Sequence, residues 1–337
     1  MNEELKFPED FYKYDTMYYK KYIQTYAEDL RTSYNTSLRN ITEQITTKGK
    51  IIMIGSAWGI NAAKIIKDYL KEQINIEFKT DYEETTKITE NDLIIAISYS
   101  GNSEEATAWL KHARRANAKT LIITAGGKLL EDTFNTPKIE LTKNLPPRCS
   151  TFTIIGTLLR LFEDANLIPS QRTEVQNAVN FIREQNITTI AENLSTKLYG
   201  VIPLIYSTNT IKNAAHKFKM LINANAKTTA FFNTIPSAEY YEAEGFKTKN
   251  ALYHAIILSS SEDISRVKKK TTIFKETIQE QGIKVTEINI KGKGLTKQVT
   301  ALMISEYTSY YLALRYQENP LSEETTKKII RNMGVYI

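Results

Sequence analysis

The sequence has 337 residues, of which 42% are hydrophobic and 24% charged, and its formal net charge is +6. These values are ordinary for a globular protein of about two domains, and they exclude a mainly disordered chain. A single cysteine, Cys149, excludes a disulfide framework, so we expect a reducing, cytoplasmic compartment. No apolar run approaches the ~20 residues that span a bilayer. The lysine-rich runs lack the interleaved aromatic residues that favour nucleic acid, so we expect neither a membrane nor a nucleic-acid partner.

The first half of the chain alternates predicted strands and helices. An aromatic and aliphatic spacing of three and four residues predicts a helical N-terminal region. Five apolar runs predict strands, at residues 51–54, 74–79, 92–98, 120–124 and 138–141. Helices are predicted between the strands, and an apolar helix follows at residues 149–165. Strands that alternate with helices indicate a parallel sheet with helices on both faces.

The second half repeats this pattern after a polar helical stretch at residues 170–198. The predicted strands lie at residues 201–206, 253–259 and 284–289. The predicted helices lie at residues 211–223, 264–280, 297–316 and 323–332. We therefore interpret the two halves as a distant tandem duplication of one α/β domain.

The loop after the predicted strand 92–98 is the strongest candidate site. It carries Ser98, Ser100, Asn102 and Ser103 immediately before a helix. Backbone N–H groups at a helix N-terminus, helped by serine hydroxyls, bind phosphate. The alternative is simple helix capping by Ser103, which requires one hydroxyl rather than three.

Two other loops carry candidate ligand contacts. Gly55 and Ser56 follow the first strand, where glycine permits either close approach to a ligand or a tight strand–helix turn. Arg148 follows two prolines at the start of a helix, where the helix dipole repels a cation. An arginine there indicates either an anionic ligand or a carboxylate partner in a salt bridge.

Titratable groups elsewhere leave both catalytic and structural readings open. Three carboxylates lie close together in the sequence: Glu239, Glu242 and Glu244. One of them could have a raised pKa, as a general base requires. The alternative is that all three form a solvated acidic face. The sequence favours structural roles for His112, His216 and His254, although His216 would also fit a cleft. Cys149 reads as a small buried residue, and no spacing of metal ligands occurs, so no metal is expected.

The segment Ser98–Glu105 closely resembles the Ser-Tyr-Ser-Gly-Asn-Thr-Glu-Glu signature of sugar isomerase (SIS) domains. The chain is most similar to the bifunctional phosphoglucose/phosphomannose isomerases. Further matches lie at residues 124–129, 145–148, 223–227, 236–245 and 310–320. The resemblance implies an α/β fold with two tandem SIS domains, each a five-stranded parallel sheet flanked by helices.

The resemblance also implies the division of the chain and the assembly of the protein. We expect an N-terminal helical segment (1–34), a first SIS domain (35–166), a helical linker (167–190), a second SIS domain (191–320) and a C-terminal helix (321–337). The implied assembly is a homodimer with the active site at the subunit boundary, without a metal or other cofactor. The implied reaction converts glucose 6-phosphate or mannose 6-phosphate to fructose 6-phosphate through an enediolate.

Carried over residue by residue, the resemblance assigns Ser98, Ser100 and Ser103 to the phosphate and Arg148 to the enediolate. Gly55, Ser56 and Asn102 complete the expected binding residues. The catalytic glutamate of the family falls on Ala224, and its ring-opening histidine falls on Tyr240.

These departures leave three hypotheses. The first is an isomerase with a relocated base, Glu239 or Glu242, assisted by Tyr240 or His216. The second is a catalytically inactive phosphosugar-binding sensor or regulatory protein. The third is a structural dimer with a vestigial pocket, because fold similarity alone does not carry function across such losses.

Overall fold

A computed structural model describes residues 8–45, 47–83, 87–184 and 186–334. The chain divides into two compact units. The first unit is Thr25–Val179, and the second combines Asn180–Val335 with the N-terminal residues up to Gln24. Within the described residues, no helix is long and apolar enough to cross a membrane. The predicted boundaries at residues 34, 166, 190 and 320 stay a prediction.

The first unit contains a five-stranded parallel sheet in the order β2-β1-β3-β4-β5. Its strands are β1 (Ile51–Ile54), β2 (Ile76–Lys79), β3 (Leu93–Ile97), β4 (Lys119–Thr124) and β5 (Lys138–Glu140). Every residue of β1 and β3 is buried, as expected for central strands that helices cover on both faces. The continuous apolar runs in the sequence therefore predicted these strands correctly.

Helices surround this sheet. The helices that begin in the first half of the chain are α1 (Tyr19–Asn35), α2 (Arg39–Ile45), α3 (Ala57–Leu70), α4 (Glu104–Arg115), α5 (Gly127–Leu130), α6 (Thr151–Asp164) and α7 (Arg172–Glu184). The division between the two units falls within α1 and again within α7. The apolar helix predicted at 149–165 is thereby confirmed as α6, preceded by a 3-10 turn at Pro147–Cys149.

The second unit contains a four-stranded parallel sheet in the order β7-β6-β8-β9. Its strands are β6 (Ile202–Thr208), β7 (Phe231–Ile235), β8 (Tyr253–Ser260) and β9 (Lys284–Ile290). The expected α/β class with parallel sheets is confirmed, but the expected fifth strand of this second sheet is wrong for the described residues. After β9 the chain passes directly into a long helix, whereas in the first unit only the short helix α5 separates β4 from β5.

The remaining helices are α8 (Ile187–Leu198), α9 (Lys212–Asn225), α10 (Glu242–Gly245), α11 (Ser265–Glu280), α12 (Gly294–Arg315) and α13 (Glu324–Met333). The polar helical stretch predicted at residues 170–198 comprises two helices, α7 and α8. Helix α12 is buried along almost its whole length and packs against α8 and α9. It is therefore the central buried element of the second unit.

The two sheets share one strand arrangement. β1 has β2 and β3 as neighbours, and β6 has β7 and β8 in the same positions. Ligands of open parallel sheets bind beyond the carboxyl ends of the strands, where the strand order reverses. The loops after β1 and β3 in the first unit, and after β6 and β8 in the second, are therefore the places where a ligand is expected.

Candidate functional site

Three loops meet at the carboxyl edge of the first sheet, and glycines allow the contact. A Cβ atom on Gly55 would lie 2.4 Å from the carbonyl oxygen of Ile97, at the end of β3. Gly101, with a φ of +70°, would place a Cβ atom 1.6 Å from the carbonyl oxygen of Gly126. We call loops 55–59, 98–103 and 124–127 together the strand-end cluster. Any larger residue at Gly55 or Gly101 would force these loops apart.

Serine hydroxyls converge within this cluster. The backbone N–H of Ser103 donates to Oγ of Ser98 at 3.3 Å, and Oγ of Ser56 donates to Oγ of Ser103 at 3.4 Å. Ser98 and Ser103 are buried, and Ser56 is half-buried. The structure thus brings together three of the predicted binding residues, of which Ser98 and Ser103 were assigned to the phosphate.

Ser103 also caps helix α4. Its Oγ accepts a hydrogen bond from the backbone N–H of Ala106 at 3.3 Å and donates to the carboxylate of Glu105 at 2.7 Å. The capping alternative is therefore correct for this hydroxyl. Capping does not exclude an anion, because the remaining N–H groups of the first turn still point out of the helix.

Ser100 and Asn102 occupy the exposed rim of the cluster. The Ser100 hydroxyl accepts a 3.4 Å hydrogen bond from the backbone N–H of Asn102. The side-chain oxygen of Asn102 accepts from the backbone N–H of Lys128 at 3.2 Å. Asn102 therefore links residues 98–103, which we call the serine loop, to helix α5. The Ser100 hydroxyl remains open to solvent.

Tyr99 was not predicted as a functional residue, yet it links the serine loop to the segment that leads to Arg148. Its hydroxyl donates to the carbonyl oxygen of Thr142 at 2.7 Å and accepts from the backbone N–H of Leu145 at 2.8 Å. The signal in the sequence was an aromatic residue between two serines in a polar loop. We infer that Tyr99 is a positioning residue.

Arg148 lies in the 3-10 turn before α6 and is only 3% exposed. Its guanidinium carbon lies 5.8 Å from the centre of the Trp58 ring, within range of a cation–π interaction. Trp58 belongs to the first turn of α3, directly after Gly55 and Ser56. The structure therefore brings Arg148 to the loop after β1, a contact that the sequence did not reveal.

Glu239 and Tyr240 belong to the second unit, on the 3-10 turn Ala238–Tyr240. Glu239 forms an ion pair with Lys270, whose ammonium also lies 5.2 Å from the Tyr240 ring centre. The hydrogen bond with Glu239 raises the pKa of Lys270. Tyr240 is 74% exposed.

Glu242 has structural partners on the neighbouring strands. Its carboxylate accepts hydrogen bonds from the hydroxyl of Tyr206 and from the side-chain amide of Asn233, each at 2.5 Å. Burial, followed by the hydrogen bond to Glu242, raises the pKa of Tyr206 above its ordinary value. Both Glu242 oxygens thus have partners, which favours a structural role for this carboxylate.

The remaining sequence candidates lie as follows. His254 is buried on β8, where Nε2 lies 2.9 Å from Oγ1 of Thr286, and burial and two nearby lysines lower its pKa to about 4. His216 packs against Phe232 with ring centres 5.4 Å apart. Cys149 is buried, as predicted. No group of three or more metal-ligating side chains occurs in the parts of the chain that the structure describes.

Comparison with known proteins identifies both units. Residues 44–152 match the SIS domain model, and residues 187–333 match the model described as the bacterial phospho-glucose isomerase C-terminal SIS domain. The chain is therefore a protein of two tandem SIS domains. It is a sugar-phosphate isomerase-like protein, and the resemblance to bifunctional phosphoglucose/phosphomannose isomerases is confirmed.

Several relatives carry that name. The chain is 27% identical to the protein of Aquifex aeolicus, over 74% of this chain and 78% of the relative. It is 29% identical to the protein of Caldicellulosiruptor bescii, over 79% of this chain and 83% of the relative. The C-terminal domain of glucosamine-fructose-6-phosphate aminotransferase from Francisella tularensis has the same fold, with a TM-score of 0.69 and 13% identity, covering 89% of this chain and 96% of that one.

Proposed function

We propose that this protein binds a hexose 6-phosphate at the strand-end cluster of its first SIS domain. The observation that carries the proposal is the convergence of the Ser56, Ser98 and Ser103 hydroxyls at the N-terminus of α4. A phosphate there would accept hydrogen bonds from backbone N–H groups and from the exposed Ser100 hydroxyl, and the helix dipole would favour its charge. Gly55 and Gly101 allow the backbones of these loops to come close together, and Asn102 links the serine loop to helix α5.

Arg148 would serve the sugar end of the ligand. A buried guanidinium forms strong hydrogen bonds with an anionic or partly anionic oxygen. During isomerisation this charge would stabilise an enediolate, which is the electrostatic contribution that such a reaction needs. The Trp58 ring lies within cation–π range of the guanidinium, which favours an orientation of Arg148 before a ligand arrives.

The proposed reaction is aldose–ketose isomerisation of glucose 6-phosphate or mannose 6-phosphate to fructose 6-phosphate, which accords with the names of the relatives. Ala224 cannot accept a proton, so the base must be another residue. Glu239 is a better candidate than Glu242, because its only hydrogen-bond partner given by the structure is Lys270 at the surface of the second unit. This pair is half-buried, with side chains that are 24% and 20% exposed. A base at Glu239 would therefore require Lys270 to be displaced when the ligand binds.

We propose further that the protein is a cytoplasmic homodimer with the active site at the subunit boundary. In this arrangement Glu239 and Tyr240 of one subunit would serve the strand-end cluster of its partner, as the resemblance implies for position 240. The exposure of Tyr240 supports this arrangement, since an aromatic side chain in solvent is available for an interface.

The second candidate is phosphosugar binding without turnover, as in a sensor or regulatory protein. Ala224 at the position of the family's base favours it, as does the engagement of both Glu242 oxygens. A positioned general base typically contributes about 10²–10⁴-fold to the rate, so its loss removes most of the activity. Binding through the serine loop and Arg148 would persist.

One experiment separates these functions. The protein is incubated with fructose 6-phosphate in D₂O, and the sugar protons are followed by NMR. Exchange of a C1 proton in the wild type and its loss in Glu239→Gln would establish the isomerase with Glu239 as base. The Glu242→Gln variant, purified identically, is the matched control and should keep the exchange. Exchange of equal rate in all three proteins would instead reveal a contaminating host isomerase.

Broadening of the sugar signals without exchange would establish the binding protein. If the sugar signals show no exchange and no broadening, hexose 6-phosphate is not the ligand. The Ser100→Ala variant completes the test, because the exposed Ser100 side chain has no role in the core and its loss should remove the broadening.

A further inference from the structure

The carboxyl edge of the second sheet repeats the arrangement of the first. β6, β8 and β9 are neighbours in the same order as β1, β3 and β4. The loop 261–264 after β8 therefore corresponds to the serine loop, and the loop 291–293 after β9 corresponds to residues 125–126. This second edge contains a polar cluster to which the proposed function assigns no role.

Loop 291–293 leads into the N-terminus of α12, a helix of 22 residues. Gly292 and Gly294 both have positive φ values, +90° and +50°, so the chain turns sharply before the helix begins. The backbone N–H of Gly294 donates to Oε2 of Glu262 at 3.1 Å. The ammonium of Lys297 lies 2.9 Å from the same oxygen.

The two charged partners differ in their access to solvent. The side chain of Lys297 is 3% exposed, and that of Glu262 is 29% exposed. A buried ammonium without an anion is strongly destabilising, so Lys297 requires a negative partner at this position. Glu262, on a loop and partly in solvent, supplies that charge but is not itself buried in the fold.

The charges around this position favour an anion. Lys291 and Lys293 flank the turn and are exposed. Asp263 opposes them, but its carboxylate accepts hydrogen bonds from the backbone N–H of Ser260 at 2.7 Å and from the hydroxyl of Thr210 at 2.8 Å. If the Glu262 side chain moved out, Lys297 and the N-terminus of α12 would both face an incoming anion.

A second observation points to a ligand with hydroxyl groups. Gln298 is fully buried, and its amide nitrogen donates to the carbonyl oxygen of Thr210 at 2.8 Å. Its Oε1 atom has no hydrogen-bond partner within the described part of the chain. The hydroxyl of Thr210 also bonds Asp263, the neighbour of Glu262, so Gln298 lies beside the same cluster. Buried polar atoms normally have partners, so this acceptor marks a place for a hydroxyl or N–H donor.

We infer that Glu262 is a displaceable internal occupant of a second anion site, located on the second SIS domain. The site takes the phosphate of a phosphorylated polyhydroxy compound, with the phosphate on Lys297 and the Gly294 N–H and a ligand hydroxyl donating to Gln298. Binding replaces one anion by another at Lys297 and forms no covalent bond. This site is separate from the strand-end cluster, so the inference does not depend on the proposed function.

The test uses inorganic phosphate as the probe and isothermal titration calorimetry of the full chain as the measurement. Neutralising the internal occupant in Glu262→Gln should strengthen phosphate binding at this site at least tenfold relative to the wild type. The double variant Glu262→Gln/Lys297→Met should lose this site altogether. It also leaves no buried charge without a partner, so it is expected to fold.

Glu244→Gln is the matched control, because it removes an exposed carboxylate paired with Lys247 in the same unit, away from α12. It should leave phosphate binding unchanged. Equal phosphate affinity of the wild type and Glu262→Gln would overturn the inference. If Glu262→Gln fails to fold, the wild type is compared with the double variant instead. An equal number of phosphates bound by these two proteins would overturn the inference. The test compares phosphate binding only between the wild type and the variants at Glu262 and Lys297. Its result therefore does not depend on whether the serine loop binds phosphate.

Discussion

The hydroxyl of Ser103 donates a 2.7 Å hydrogen bond to the carboxylate of Glu105, two residues further along the chain. The N-terminus of α4 thus has a negative charge beside the position proposed for a phosphate. Carboxylates at this end stabilise a helix, but they repel a second anion. Glu105 therefore sets part of the affinity for any phosphorylated ligand at the strand-end cluster.

Neutralising Glu105 should strengthen ligand binding. We expect Glu105→Gln to lower the Kd for fructose 6-phosphate by about three- to tenfold, because a like charge near the phosphate is removed. Glu104→Gln is the matched control: it removes the same charge one residue away, from a carboxylate that accepts a hydrogen bond from Tyr82 instead. Calorimetric titration measures both. A stronger effect of Glu104→Gln would show that the Ser103–Glu105 contact does not govern affinity.

Gly101 should be intolerant of any side chain. We expect Gly101→Ala to destabilise the protein by about 3 kcal/mol or more, because the backbone has a positive φ and the new Cβ would overlap the carbonyl oxygen of Gly126. Gly126→Ala should change stability little, since a Cβ there meets no atom within 4 Å. Urea unfolding measures both variants. Equal losses of stability would refute the close contact of the two loops.

Trp58 should report ligand binding by fluorescence. The protein has two tryptophans, and the other, Trp109, is completely buried with its indole N–H bonded to the carbonyl oxygen of Asp81. A ligand that engages Arg148 changes the cation–π contact with Trp58, so we expect fructose 6-phosphate to shift the emission. The change should vanish in Trp58→Phe. A shift that persists in this variant would place the ligand away from Arg148.

His254 should make stability depend on pH. Burial, and then the positive charges of Lys197 and Lys284, lower its folded-state pKa to about 4 from an ordinary 6.5. His254 therefore binds a proton more readily in the unfolded chain than in the folded one. Its contribution to the free energy of unfolding is fully present above about pH 6.5 and is lost as the pH falls towards 4. The full loss approaches about 3 kcal/mol.

The variant His254→Asn isolates this effect. Urea unfolding at several pH values between 4 and 7 should show a smaller decline for His254→Asn than for the wild type. His112→Asn, at a partly exposed position on α4, should keep the full decline. Parallel curves for the wild type and His254→Asn would refute the assigned role of His254.

Strands β1 and β3 could be predicted because both faces of each are buried, which produces uninterrupted apolar sequences. β7 could not, because it lies at a sheet edge and mixes the exposed Phe231 with polar residues. Such a strand lacks both the continuous run and the alternation that reveal strands in a sequence. The described residues form four strands in the second sheet where five were expected, because the number five came from the resemblance rather than from these residues.

The serine loop could be predicted because its residues are contiguous and their chemistry is local. The contact of Arg148 with Trp58 joins residues ninety positions apart, and the ion pair of Lys297 with Glu262 joins two different strand ends. Such contacts depend on sheet topology, which the order of residues does not display. The roles proposed for Glu239 and Tyr240 stay a prediction, because they rest on an assembly of two chains.

If the first SIS domain holds a sugar by its phosphate, the sugar without its phosphate should not bind. The most direct measurement compares the binding of fructose 6-phosphate and of fructose to the wild type and to Ser100→Ala by calorimetric titration. We predict binding of fructose 6-phosphate alone, weakened by Ser100→Ala by about tenfold or more, in line with about 1.5–3 kcal/mol for a hydrogen bond to a charged group. Equal binding of fructose and fructose 6-phosphate, or the same affinity for fructose 6-phosphate in Ser100→Ala, would contradict the claim.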